Sequence, residues 1–67
     1  MSKARITWIS GPVLRAVAED TFHINEAIVV GEDRLLGEVI RIERDQIVAQ
    51  VYEDTSGLRP GDEVTGH

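Results

Sequence analysis

Two histidines, several adjacent carboxylates and six glycines are the residues of this 67-residue sequence whose types invite chemistry. His23 stands between Phe22 and Ile24 with no serine, cysteine or second histidine nearby, and His67 is terminal. Neither has the partners a nucleophilic relay needs. Neighbouring carboxylates, Glu19 with Asp20 and Glu53 with Asp54, would point to opposite faces of a strand, and nothing signals the burial that moves a pKa. They read as solvated turn residues. Glu53, Asp54 and Asp62 lack the alternating ligand spacing of a calcium loop. The stretch from Gly31 to Gly37 runs on into Glu-Val-Ile, not into the Lys-Ser/Thr that opens a phosphate-binding helix. With no cysteine and two histidines, a structural zinc site has too few ligands. The expectation is a chain without catalytic, cofactor-binding or metal-binding residues of its own.

Composition narrows the partners. Twelve acids against seven bases leave a formal charge of −5, which repels nucleic acid and anionic lipid. No apolar run approaches the roughly 18 residues of a membrane span, and the polar, Gly-Pro-interrupted start lacks the apolar stretch of a signal peptide. A cytoplasmic chain with no nucleic acid partner and no membrane insertion is expected. Such a length allows one domain, spanning residues 1–67, which hides only about 60% of the surface its unfolded chain exposes. Its stability margin is thin, and no disulfide supplements it.

The elements that must position any functional group are strands. Isoleucine and valine dominate the 42% hydrophobic fraction, and β-branched side chains are stiff and suit a pleated sheet. Lys3 to Ile9 reads as a first strand, ended by the Ser10-Gly11-Pro12 turn. Val13 to Val17 is a second, followed by a loop through Glu19-Asp20-Thr21, after which Phe22 and Ile24 resume the apolar pattern. Glu26 to Val30 is a third, stopped at Gly31-Glu32-Asp33.

Leu35 to Glu43 is a fourth strand, bent at Gly37. One parity holds Leu36, Glu38, Ile40 and Ile42, and the other mixes Leu35, Val39, Arg41 and Glu43. A helix also fits Leu35, Leu36, Val39 and Ile40 by spacing, but Gly37 and the β-branched residues oppose it. Arg44-Asp45 then turns the chain into Ile47 to Tyr52 as a hairpin, with Ile47, Ala49 and Val51 on one face and Val48, Gln50 and Tyr52 on the other. A last strand, Glu63 to Thr65, follows the Pro60-Gly61 turn. Six short strands without a helix predict an all-β fold, a small closed six-stranded antiparallel barrel, since closure removes exposed sheet edges.

One loop is specified at nearly every position: Tyr52, Glu53, Asp54, Thr55, Ser56, Gly57, Leu58, Arg59, Pro60 and Gly61. As a turn-rich connection, it would have Thr55 or Ser56 bond back to the main chain, Gly57 adopt a left-handed conformation, Leu58 plug the barrel end and Pro60-Gly61 aim the final strand. As a binding element of a free-standing module, Tyr52 to Pro60 would hold a peptide or small ligand.

The stretch Val51 to Asp62 resembles the signature near the end of the N-terminal β-barrel of the catalytic A subunit in archaeal and vacuolar-type rotary ATPases. Ile9-Ser10-Gly11-Pro12-Val13, Val30-Gly31 and Leu36-Gly37-Glu38-Val39-Ile40 agree in the same order. The stretch from Arg15 through Ile28 fits only loosely. The resemblance implies that the parent's nucleotide-binding and helical C-terminal domains, with ATP and magnesium, lie outside these 67 residues, and that this part is non-catalytic. It implies a barrel that joins alternating A and B subunits in a hexameric head. That head couples ATP synthesis or hydrolysis to proton or sodium transport and sits peripheral to the membrane. Arg5, Trp8, Arg41 and Glu43 are the residues expected at such an interface, and a homodimer is a natural outcome for an isolated barrel.

Overall fold

A computed structural model describes residues 2–66. Six strands follow in chain order: β1 (Lys3–Ser10), β2 (Val13–Ala18), β3 (Ala27–Val30), β4 (Leu35–Glu43), β5 (Gln46–Val51) and β6 (Glu63–Gly66). All neighbours pair antiparallel in the order β1-β2-β5-β4-β3-β6, and β6 returns to β1 to close the barrel. The all-β, closed six-stranded reading therefore holds, and Leu35–Glu43 is a strand and not a helix.

The β1–β2 and β4–β5 hairpins form where turn residues demand them. Gly11 has φ +56 between β1 and β2, and Arg44 has φ +55 between β4 and β5. Inward residues then pair across the wall: Ile6 with Ala16, Ala16 with Ile47, and Leu14 with Ala49. Ile28, Val30, Val39, Val51 and Val64 complete an aliphatic centre, each no more than 2% exposed. No buried side chain among the described residues is polar or charged. The hydrophobic effect and close packing therefore carry the core, with each fully buried Val, Leu or Ile contributing roughly 1.5–3 kcal/mol.

Two bulges break the period-two pattern. In β1 the register moves between Ile6 and Trp8, leaving Thr7 as the extra residue. In β4 it moves between Val39 and Arg41, leaving Ile40. A bulge reverses which parity faces the core beyond it. The bulge of β4 falls at Ile40, three residues beyond the Gly37 where the sequence suggested a bend. Gly37 itself is needed for a different reason, since a Cβ there would lie 2.4 Å from the Gln50 carbonyl oxygen on β5.

The loosely matched middle of the chain closes one end of the barrel. β2 ends at Ala18, and the loop beyond it lays Phe22 over the core at 5% exposure. Glu26 fastens this loop, accepting a hydrogen bond from the His23 amide at 2.8 Å and lending its carbonyl to the Val39 amide at 3.0 Å. The Tyr52–Gly61 loop covers the other end, so the two caps hold the core from opposite sides.

Candidate functional site

The Tyr52–Gly61 loop is tied to its own barrel along its length. The Tyr52 amide donates to Leu36 O at 2.9 Å, and Glu53 accepts from the Leu36 amide at 3.3 Å. Asp54 accepts from both the amide and the hydroxyl of Ser56, at 3.0 and 3.2 Å, which curls the loop tip. Thr55 Oγ1 donates to the Gly11 carbonyl at 2.7 Å and so joins this loop to the β1–β2 turn. Leu58 packs on the core. Asp62 accepts from the Arg59 amide at 3.0 Å, and Ile6 exchanges backbone hydrogen bonds with Gly61 and Asp62.

The roles expected for Thr55 and Leu58 are therefore met. The one expected for Gly57 is not: the left-handed glycine of the loop is Gly61, at φ +97, because the Arg59–Asp62 turn places the reversal there. Most of the loop's polar groups named here are spent on their own chain.

Tyr52 is 60% exposed, as most of the loop is exposed, and its hydroxyl donates to Glu38 Oε1 at 2.9 Å. That hydrogen bond, with lesser contributions from burial and the Glu38 charge, raises the phenol above its ordinary 10.0. The hydrogen bond fastens Tyr52 to the outer face of β4.

The outer wall of β1, β2, β5 and β4 holds a second arrangement. Trp8 pairs with Arg15, Arg15 with Val48, and Val48 with Arg41, so four side chains form one row across four strands. Both bulges lie directly before the row's ends, at Thr7 and Ile40, and turn Trp8 and Arg41 outward. The Arg15 guanidinium sits 6.0 Å from the Trp8 ring centroid. Glu43 binds both arginines, with Oε1 3.0 Å from Arg15 Nη1 and Oε2 2.7 Å from Arg41 Nη2. Val48 forms the floor at 7% exposure, while Trp8 and Ile40 stand 48% and 42% exposed beside it.

Of the residues expected at an interface, Trp8, Arg41 and Glu43 share this wall. Arg5 does not join them: its guanidinium donates to the Gly61 carbonyl at 3.2 Å and approaches Glu19 at 3.8 Å. Arg15 and Val48, which connect the others, escaped the reading of the sequence. A period-two pattern gives no sign of a bulge, and only the β2–β5 pairing brings Arg15 beside Val48. His23 is exposed, and His67 lies outside the described residues. Among the described residues, no group of three or more His, Cys, Asp or Glu side chains gathers as a metal would require. No helix of the structure is long and apolar enough to cross a membrane.

The family model described as the ATP synthase alpha/beta family, beta-barrel domain, matches residues 6–66. The chain belongs to the ATP synthase alpha/beta family. It is 52% identical over 56 residues to the A subunit of the A-type ATP synthase of Methanoculleus marisnigri, covering 84% of this chain and 9% of the relative. The corresponding protein of Metallosphaera sedula is 44% identical over 66 residues, 98% of this chain and 11% of the relative. The V-type ATP synthase alpha chain of Halothermothrix orenii is 42% identical over 62 residues, 92% and 10%. The resemblance to the N-terminal barrel of the A subunit holds across nearly the whole chain. The chain spans about a tenth of the length of these relatives.

Proposed function

We propose that this barrel is a non-catalytic assembly domain, which helps hold alternating A and B subunits of a rotary ATPase in a hexameric head. The observation that carries the reading is the exposed, apolar and arginine-bearing wall around Val48, on a domain matched to the beta-barrel domain of this family. A domain of this size has a small core, so apolar area covered by neighbours adds stability that the lone chain lacks. Interfaces of roughly 800 Å² per partner are the usual scale for such contacts.

In this reading ATP and magnesium bind in another domain of the parent protein, which couples nucleotide turnover to proton or sodium transport across a membrane to which the head is peripheral. The residues of the barrel fit neither group: they offer no phosphate loop and, among those described, no metal cluster. A ligand-binding role for the Tyr52 to Pro60 loop has less support, because Thr55 and Glu53 bond to the barrel's main chain at Gly11 and Leu36, and Asp54 and Asp62 accept from amides of the loop itself.

Light scattering of the chain mixed with the B subunit of an A-type ATP synthase tests the proposal. A complex whose mass includes both partners is expected. A chain that stays monomeric with the B subunit present, at high concentration of each, would overturn it.

A further inference from the structure

We propose that the loop carrying Phe22 is a lid, and that Ser2 and Glu26 latch it to the end of β6. Displacement of the chain at Gly66 then opens this end of the barrel while the Tyr52–Gly61 end stays shut. The inference concerns the barrel itself and stands whether or not the barrel joins subunits.

Two residues each hold both parts. The Ser2 carbonyl accepts from the Gly66 amide at 2.7 Å, while the Ser2 hydroxyl donates to the Thr21 carbonyl at 2.5 Å. Glu26 receives the His23 amide on Oε1 at 2.8 Å, and its Oε2 rests against Gly66 in the space a side chain there would fill. Thr21 and His23 flank Phe22 in the chain, so the lid is gripped on both sides of its plug. Lys3 adds to the Ser2 side, its amide donating to Asp20 Oδ2 at 3.1 Å and its carbonyl accepting from the Glu19 amide at 2.8 Å.

Both parts are suited to opening locally. β6 has four residues and pairs with only Lys3–Arg5 of β1 and Ile28–Val30 of β3, and short strand ends open at lower free energy than a core does. Asn25, beside the latch, holds φ +68, a left-handed conformation that residues with a Cβ carry at a cost and that release of the lid relieves. A groove of about 310 Å³, lined by Phe22 with Ile42 and Ile47, gives the lid room to move.

The opposite cap uses different fastenings. The Tyr52–Gly61 loop bonds to Leu36, Gly11 and Ile6, none of which belongs to the latch. The chain spans about a tenth of the length of its relatives, and in an N-terminal barrel of such a protein the chain that follows acts on β6. Its load reaches Gly66, and with it the Phe22 lid, before it reaches the opposite cap.

Amide hydrogen exchange of the isotope-labelled chain tests the coupling. Gly66→Ala sets its Cβ against the tip of the flexible Glu26 side chain, not against backbone, so the variant should fold, as circular dichroism checks. By displacing that carboxylate it should speed exchange at the His23 amide about tenfold or more, while the Tyr52 and Leu58 amides of the opposite cap exchange as before. In Glu26→Ala the Gly66 amide, which bonds to Ser2 and not to Glu26, should exchange faster, and adding Gly66→Ala should speed His23 no further. Exchange at His23 left unchanged by Gly66→Ala, or at Gly66 left unchanged by Glu26→Ala, overturns the coupling. An equal acceleration at Tyr52 and Leu58 overturns it too, because the whole barrel would then be loosening. Should Gly66→Ala fail to fold, the Gly66 amide in Glu26→Ala decides alone.

Discussion

Leu58 occupies the space that a side chain on Gly31 would need. A Cβ at Gly31, which has φ +72, would lie 2.6 Å from Leu58 Cδ2. The contact latches the Tyr52–Gly61 loop onto the turn after β3, so the loop's conformation and the closure of that barrel end are one feature.

Gly31→Ala should therefore destabilise the barrel by about 1–2 kcal/mol from its left-handed backbone alone. Leu58→Ala should remove about 2 kcal/mol of packing. Because alanine at position 31 fits the space that Leu58→Ala vacates, the double variant should lose less than the sum of the two. Denaturant unfolding of the three variants measures this, and strict additivity would mean that the two residues are not coupled.

Gly37 faces backbone and not a side-chain tip, so substitution there should be worse. Gly37→Ala would press its Cβ against Gln50 O and part β4 from β5, destabilising by about 3 kcal/mol or more. Gly57→Ala is the control, since nothing lies within 4 Å of its Cβ position and its φ is not positive. The same unfolding measurement should find Gly57→Ala within about 0.5 kcal/mol of the unaltered chain.

At the opposite end, Phe22 is the largest side chain over the core and comes from a loop instead of a strand. Phe22→Ala should cost about 3–5 kcal/mol, a large share of the stability of so small a domain. Thermal unfolding by circular dichroism should show a melting temperature lowered by well over 10 °C, roughly, or no folded baseline at all.

The single tyrosine gives a clean pH probe. Its phenol is raised above 10.0 by the hydrogen bond to Glu38, so the folded state holds this proton more tightly than the unfolded state does. The resulting stabilisation is fully present below the unfolded value and is lost as pH rises through the folded one. Tyrosinate absorbance should therefore titrate above pH 10 in the intact chain and shift downward in Glu38→Ala. An unchanged titration in that variant would remove Glu38 as the cause.

Much of this was legible in residue order. Gly11-Pro12, Arg44-Asp45 and Pro60-Gly61 marked strand ends, and in β5 the alternation of Ile47, Ala49 and Val51 against Val48 and Gln50 assigned inner and outer faces correctly. β4 resisted, because Leu36 and Ile40 belong to its more apolar parity and yet face outward, while Val39 faces the core. Hydrophobicity alone does not separate the core-facing parity of a strand from an outer parity that also carries large apolar side chains. The row from Trp8 to Arg41 was hidden for a further reason. It depends on two unpaired bulge residues and on β2 pairing with β5 across roughly thirty positions, for which local pattern carries no signal. Gly57 and Gly61 were both open to a left-handed turn, and the Asp62 carboxylate on the Arg59 amide settles it at Gly61.

The most direct test of the assembly role replaces the matching barrel of the Methanoculleus marisnigri A-type ATP synthase protein with residues 1–67 and measures the mass of its complex with the B subunit by native mass spectrometry. The account predicts that the chimaera assembles as the unaltered protein does, and that adding Arg15→Glu with Arg41→Glu breaks the assembly while the barrel stays folded. A chimaera that remains separate from the B subunit, under conditions where the unaltered protein assembles, would contradict it.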